Sequence, residues 1–250
     1  MRVLALVLVL CLLLCGCVTK TAVQPLPTAP AETTTPSEPV EETTQSPTAG
    51  LHSGLKPDGS FDEGTLFIGD SLTYGLVTRY LKENGLLGQA KYMAMPGAAI
   101  TCYEKGPALG VKPAAYSPEF DGLYMYQAVE LCGQQVTAVY LMLGTNANEY
   151  ATDQVYIDMV EHLLKHCPQA TIYLQLVPYN RSDRVNSEAA NGRVQRAFNH
   201  FEGQQRLRLI DTQTAIGYNL APDGIHLVTK GQQLWYEAIV DYAEENGIEQ

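Results

Sequence analysis

Phe67 to Gly75 read FIGDSLTYG. The run Thr65 to Gly69 is apolar on both faces, as in a strand buried within a parallel sheet. It halts at Gly-Asp-Ser, a turn followed by helical spacing, so Ser71 stands at a strand end and a helix start. Open α/β sheets place reactive groups outside the carboxyl ends of their strands. The other strand ends therefore decide what this stretch does.

Ala90 to Ala94, Ala138 to Leu143, Thr171 to Val177 and Arg208 to Ile210 also read as strands. Helical patterns fall between them at 72–83, 123–133, 153–167 and 187–203, with a last helix at 230–245. This alternation predicts a doubly wound α/β sandwich on a five-stranded parallel sheet, without internal repeats. Three more polar stretches follow strands: Met95-Pro96-Gly97, Gly144-Thr145-Asn146 and, after the last strand, Asp223-Gly224-Ile225-His226. All four belong on one rim.

A serine hydroxyl needs a base to become a nucleophile, and imidazole titrates near working pH. A carboxylate on the other ring nitrogen sets the tautomer. Ser71, His226 and Asp223 supply these three roles. The N–H groups of Ser71 and Gly97 and the side-chain amide of Asn146 are the candidate donors to a developing oxyanion. Read structurally instead, the same motifs are a capping Ser and two polar turns.

The ordered set Gly-Asp-Ser, Gly, Gly-Thr-Asn and Asp-x-x-His resembles the SGNH hydrolase superfamily, the GDSL esterases, over residues 61–246. The resemblance implies a flavodoxin-like three-layer α/β/α sandwich and a nucleophile at Ser71. It further implies oxyanion donors at Ser71, Gly97 and Asn146, an Asp223–His226 pair, and no cofactor. Two departures stand out: Ala147 follows Gly-Thr-Asn where the family commonly has Asp, and Gly97 sits in a less distinctive MPGAAI context. No GxSxG elbow of the other large esterase fold is present.

The expected activity is hydrolysis of short acyl esters, acetyl first, on carbohydrate. The alternatives are an O-acyltransferase on surface glycan, a lysophospholipase-type lipid esterase, or a binding module that keeps the fold without turnover. Asp70, Tyr74, Tyr150 and Tyr179 are candidate substrate contacts, and Tyr103 also follows a strand. Tyr offers an apolar face with a polar tip, which suits sugar rings. Arg181 and Arg184 are read as solvent-facing.

The N-terminus is of another character. Arg2 precedes an apolar run, Val3 to Leu14, too short to span a bilayer. Leu14-Cys15-Gly16-Cys17 resembles a bacterial lipobox, which implies a signal peptide at 1–17, a lipidated Cys17 and an extracytoplasmic, membrane-anchored protein. Residues 18–58, rich in Thr, Pro and Glu at their start, are read as a disordered tether. Residues 59–250 are left as the hydrolase domain, expected to be monomeric.

The chain carries 16 basic and 27 acidic residues, and residues 51–250 carry 14 and 23, a net of −9. That excludes an electrostatic fit to nucleic acid. Cys102, Cys132 and Cys167 form no CxxC pair and read as small buried hydrophobes, with a Cys102–Cys132 bridge as the alternative. His162 and His166 lie one helical turn apart but away from the apolar stripe. With no HExxH and no nearby carboxylate pair of the right spacing, they are read as a solvated face, and no metal is expected.

Overall fold

The computed structural model describes residues 50–105, 116–146 and 150–248. The lipobox and Cys17, most of the tether, and Ala147 lie outside them.

Five parallel strands form the sheet: β1 (Thr65–Gly69), β2 (Lys91–Ala94), β3 (Ala138–Met142), β4 (Thr171–Gln175) and β5 (Leu207–Ile210), in the order β2-β1-β3-β4-β5. β1, β3 and β4 are buried throughout, as strands covered on both faces must be. The helices are α1 (Ser71–Gly75), α2 (Cys102–Lys105), α3 (Met125–Cys132), α4 (Asp153–His166), α5 (Arg184–His200), α6 (Thr212–Ile216) and α7 (Thr229–Glu245).

The period-2 alternation along the strands splits the core in two. Leu66, Ile68, Val139, Leu141, Ile172 and Leu174 pack with Met125, Val129, Tyr156 and Val160 of α3 and α4. Phe67, Tyr140, Met142 and Tyr173 pack on the other face with Leu72, Leu76, Trp235 and Ile239. The expected three-layer sandwich is the observed one. The direction of winding reverses between β1 and β3, so the switch point where such sheets form sites lies between Ser71 and Asn146.

Some boundaries differ from the sequence reading. The helix expected at 72–83 is a short α-helix that widens into a π-helix over Leu76–Leu81, with Lys82 N–H donating to Val77 O at 3.1 Å. The wider turn brings Leu76, Val77 and Leu81, all buried, onto the core together. α5 starts at Arg184 rather than 187 because Asp183 caps it, accepting from Asn186 N–H at 3.0 Å. α6 was not expected; Asp211 caps it through Thr214 N–H at 3.0 Å.

The folded domain begins before residue 59, within the segment expected to be tether. Leu51, Ser53 and Leu55 are buried, and two sheet tyrosines hold this segment. Tyr140 Oη–H donates to Ser53 O at 2.6 Å, and Tyr173 Oη–H to His52 O at 2.8 Å. The two rings stack at 4.7 Å. Two isolated leucines in a polar stretch are weak sequence signals, whereas a row of buried phenols needing acceptors makes them part of the fold.

Cys102, Cys132 and Cys167 are all free thiols. Tyr103 is not on the rim: it is 4 % exposed and its hydroxyl meets His162 Nδ1 at 2.8 Å. His162 is accordingly partly buried and hydrogen-bonded, not on a solvated face. No described helix is long and apolar enough to cross a membrane.

Candidate active site

β1 delivers Ser71 to the rim through Gly69 and Asp70. A Cβ on Gly69 would stand 2.6 Å from the Met142 carbonyl of the neighbouring strand, so only glycine lets the two backbones approach this closely. Asp70 is fully buried and caps α1, its Oδ1 accepting from Leu72 N–H at 2.9 Å. Burial pushes its carboxyl up to about 6, against the opposing pull of Leu72 N–H and Thr145. Thr145 is close enough to favour the charge, but Asp70 Oδ2 and Thr145 Oγ1 both lie outside hydrogen-bond geometry. Asp70 was expected to touch substrate; its burial under α1 rules that out and makes it the support of Ser71.

The turn 221–228 brings the other two groups. Ala221 N–H donates to His226 O at 2.6 Å, and a bridge pairs Leu220 with Leu227. Asp223 Oδ1 accepts from the N–H groups of Ile225 at 2.9 Å and His226 at 3.0 Å, while Oδ2 meets His226 Nδ1 at 2.7 Å. With that ring proton donated to Asp223, Nε2 is the acceptor left to face Ser71 Oγ, 3.1 Å away across 155 residues of chain. The Ile225 N–H, the His226 ring and the His226 N–H hold the Asp223 carboxyl down at about 2. Asp223 and His226 are each about half exposed, at 49 % and 52 % of their side chains.

The three candidate donors follow adjacent strands. Met95 N–H donates to Gly69 O at 3.0 Å, which carries the exit of β2 beside Ser71. Gly97 follows at φ 79° in a turn closed by Ala98 N–H to Met95 O at 3.0 Å. Asn146 Nδ2 donates to Ala98 O at 2.9 Å, so the amide lies against the Gly97 turn. Neighbouring strands are about 4.8 Å apart, so the exits of β2 and β3 flank that of β1, which carries Ser71.

Sequence reasoning missed the residues that brace these loops. Ser182 Oγ–H donates to Asp223 O at 2.7 Å, and Arg181 N–H donates to Gly224 O at 2.8 Å. Buried Asn180 accepts from the N–H groups of Ser182 and Asp183, a side-chain turn that shapes this loop. Asn186 Nδ2 donates to Thr145 O at 2.8 Å. The Asn-x-Ser-Asp pattern of a tight turn was the available signal. Arg184 pairs with Glu188 at 2.7 Å on the surface, as expected of a solvent-facing residue.

A cavity of about 70 Å³ opens beside Ser71, lined also by Tyr74, Arg79, His226, Leu227 and Gln232. Tyr74 is thus at the site. Tyr179 stacks on Tyr218 at 4.8 Å, forming an aromatic pair in the loop that precedes Arg181. Tyr150 is 68 % exposed and adjoins residues 147–149, which are outside the described ones.

No protein-family model and no curated protein matches the chain. Solved structures do. The chain is similar to a carbohydrate esterase family 3 protein from Talaromyces cellulolyticus, with 17 % identity, a TM-score of 0.50, and coverage of 72 % of this chain and 96 % of that one. It is similar to an acetyl esterase mutant holding an acetate ion, at 14 % identity and TM-score 0.50, over 72 % of this chain and 96 % of that one. An active-site mutant of a family two carbohydrate esterase from Clostridium thermocellum gives 15 % and 0.50, over 73 % and 64 %. The likeness is one of fold: a five-stranded parallel sheet between helical layers.

Proposed function

We propose that this chain is a serine esterase that removes short acyl groups, acetyl first, from carbohydrate. The observation that carries the reading is the relay from Ser71 Oγ to His226 Nε2 at 3.1 Å and from His226 Nδ1 to Asp223 at 2.7 Å. Ser71 Oγ attacks the ester carbonyl while His226 Nε2 takes its proton. The N–H groups of Ser71 and Gly97 and the Asn146 amide hold the tetrahedral oxyanion. Its collapse breaks the ester C–O bond, and His226 returns the proton to the departing sugar oxygen. Water then attacks the acyl-Ser71 ester with His226 again as base, releasing the carboxylic acid and the free serine.

Two features support the short acyl group and the hydrolytic outcome. The cavity beside Ser71 is small, about 70 Å³, which suits a short acyl group better than a long chain. The half-exposed His226 and Asp223 leave the intermediate open to water, which favours hydrolysis over transfer to a sugar. The carbohydrate part of the reading draws on the esterases of like fold and on the Tyr74 and Tyr179–Tyr218 surfaces. Anchoring outside the cytoplasm through a lipid on Cys17 belongs to the same reading; mass spectrometry of the mature N-terminus tests it.

The test is hydrolysis of p-nitrophenyl acetate, butyrate and octanoate. Activity that falls with chain length and disappears in Ser71→Ala and His226→Ala supports the reading. Turnover unaffected by either variant, or highest on octanoate, overturns it.

A further inference from the structure

α3 packs on α4 on the sheet face away from α7. On α4, His162 and His166 are one turn apart with rings stacked at 4.3 Å and 25°. From α3, Glu130 places Oε1 3.4 Å from His162 Nε2. That is long for a charge-assisted hydrogen bond, which falls at about 2.7–2.9 Å. It equals the edge of a tetrahedron of donors each about 2.1 Å from a central ion, about 3.4 Å. One ligand atom from each of Glu130, His162 and His166 lies within 4.8 Å of the other two.

A second observation is independent of these distances. The buried Tyr103 hydroxyl meets His162 Nδ1 at 2.8 Å. The contact accommodates the tautomer with Nδ1–H donating to that oxygen, which leaves the Nε2 lone pair free for an ion, the support that metal-bound histidines use. A cavity of about 420 Å³, lined by Tyr103, Tyr126, Glu130, Asp158, Met159 and His162, borders the group. It leaves room for water at the remaining coordination positions.

The geometry points to a divalent-metal site formed by Glu130, His162 and His166, of the borderline class that accepts imidazole together with carboxylate, zinc first. Calcium and magnesium, which prefer all-oxygen ligand sets, do not fit. An ion here joins α3 to α4 and, through Tyr103 on α2, fastens the chain that leaves the Gly97 turn. The site does not depend on the esterase reading. The sequence concealed it because the carboxylate stands 32 residues before His162, on another helix.

The test is titration of the chelator-stripped full-length protein with ZnCl₂ against a chromophoric competitor, alongside thermal unfolding. One equivalent binds, and the melting temperature rises by several degrees at saturation. His166→Ala and Glu130→Gln, both at partly exposed positions, each weaken binding by more than about tenfold, while His226→Ala leaves it unchanged. Co²⁺ at the same site gives the visible spectrum of a low-coordinate nitrogen–oxygen set, a readout that does not depend on stability. The proposal fails if zinc below about 100 µM neither binds nor shifts melting. It fails equally if binding survives both ligand variants, or is lost in His226→Ala, which would put the ion on the Asp223–His226 pair.

Discussion

Asp70 and Asp223 flank the same Ser71–His226 pair, one as the covalent neighbour of Ser71 and the other as the hydrogen-bond partner of His226, in opposite surroundings. Asp70 is sealed under α1, with one oxygen capping the helix and the other without a partner among the described residues. Burial raises it to about 6. Asp223 is half exposed in a turn where two N–H groups and an imidazole all favour its charge, and it is lowered to about 2. A carboxylate is kept charged by donors, not by burial. The difference assigns Asp70 to architecture and Asp223 to the chemistry proposed for His226.

Four measurements sharpen or break this contrast. On an aryl acetate, Ser71→Ala and His226→Ala each lower kcat by about 10⁴-fold or more with the fold retained, since the two groups act as one unit. Asp223→Asn comes next. It preserves an acceptor for the Ile225 and His226 N–H groups but turns an amide donor toward Nδ1, forcing the wrong tautomer and costing about 10³-fold or more in kcat. A loss under about tenfold would mean that Asp223 only shapes the turn.

Asp70→Asn has its effect on stability. Raising the carboxyl from 3.8 to about 6 is a penalty of order 3 kcal/mol on the charged form, at about 1.4 kcal/mol per tenfold change in proton affinity. The folded value lies above the unfolded one. This group's contribution is therefore fully present below about pH 4 and is lost as pH rises through about 6. Urea unfolding at pH 4 and pH 7 tests it: Asp70→Asn gains on the parent by up to about 3 kcal/mol between the two, while kcat changes little. Asp223 has the opposite sign, with stability present above its unfolded value and lost as pH falls through about 2. An Asp70→Asn variant with the parent's pH dependence would break the contrast.

The smallest effect concerns the rim. Tyr179→Ala, which unstacks Tyr218, raises KM for an acetylated glycan by a factor of a few, at about 0.5–1.5 kcal/mol for an aromatic contact. KM for a small aryl acetate stays constant. Equal effects on both substrates would remove sugar stacking from the proposal.

The sheet was legible because buried parallel strands are short continuous apolar runs, and β1 through β5 begin and end within one or two residues of those runs. Ser71, Gly97, Asn146, Asp223 and His226 were legible because each follows a strand or sits in a polar turn of distinct type. Asp70 was misread as a substrate contact, since nothing local distinguishes a buried Asp from an exposed one beside the same Ser. Tyr103, Tyr140 and Tyr173 have the composition of rim or strand tyrosines alike, yet their hydroxyls end on His162, Ser53 and His52.

Local pattern and strand order were thus enough to single out Ser71, Gly97, Asn146, Asp223 and His226, because periodicity and turn chemistry act over a few residues, and the fold brings Ser71, His226 and Asp223 into contact. Which side chains lose water, and which donors they then meet, depends on contacts between segments far apart in the chain. Packing alone made Asp70 a buried cap, turned Leu51 and Leu55 from tether into core, and brought Glu130 to His162 and His166.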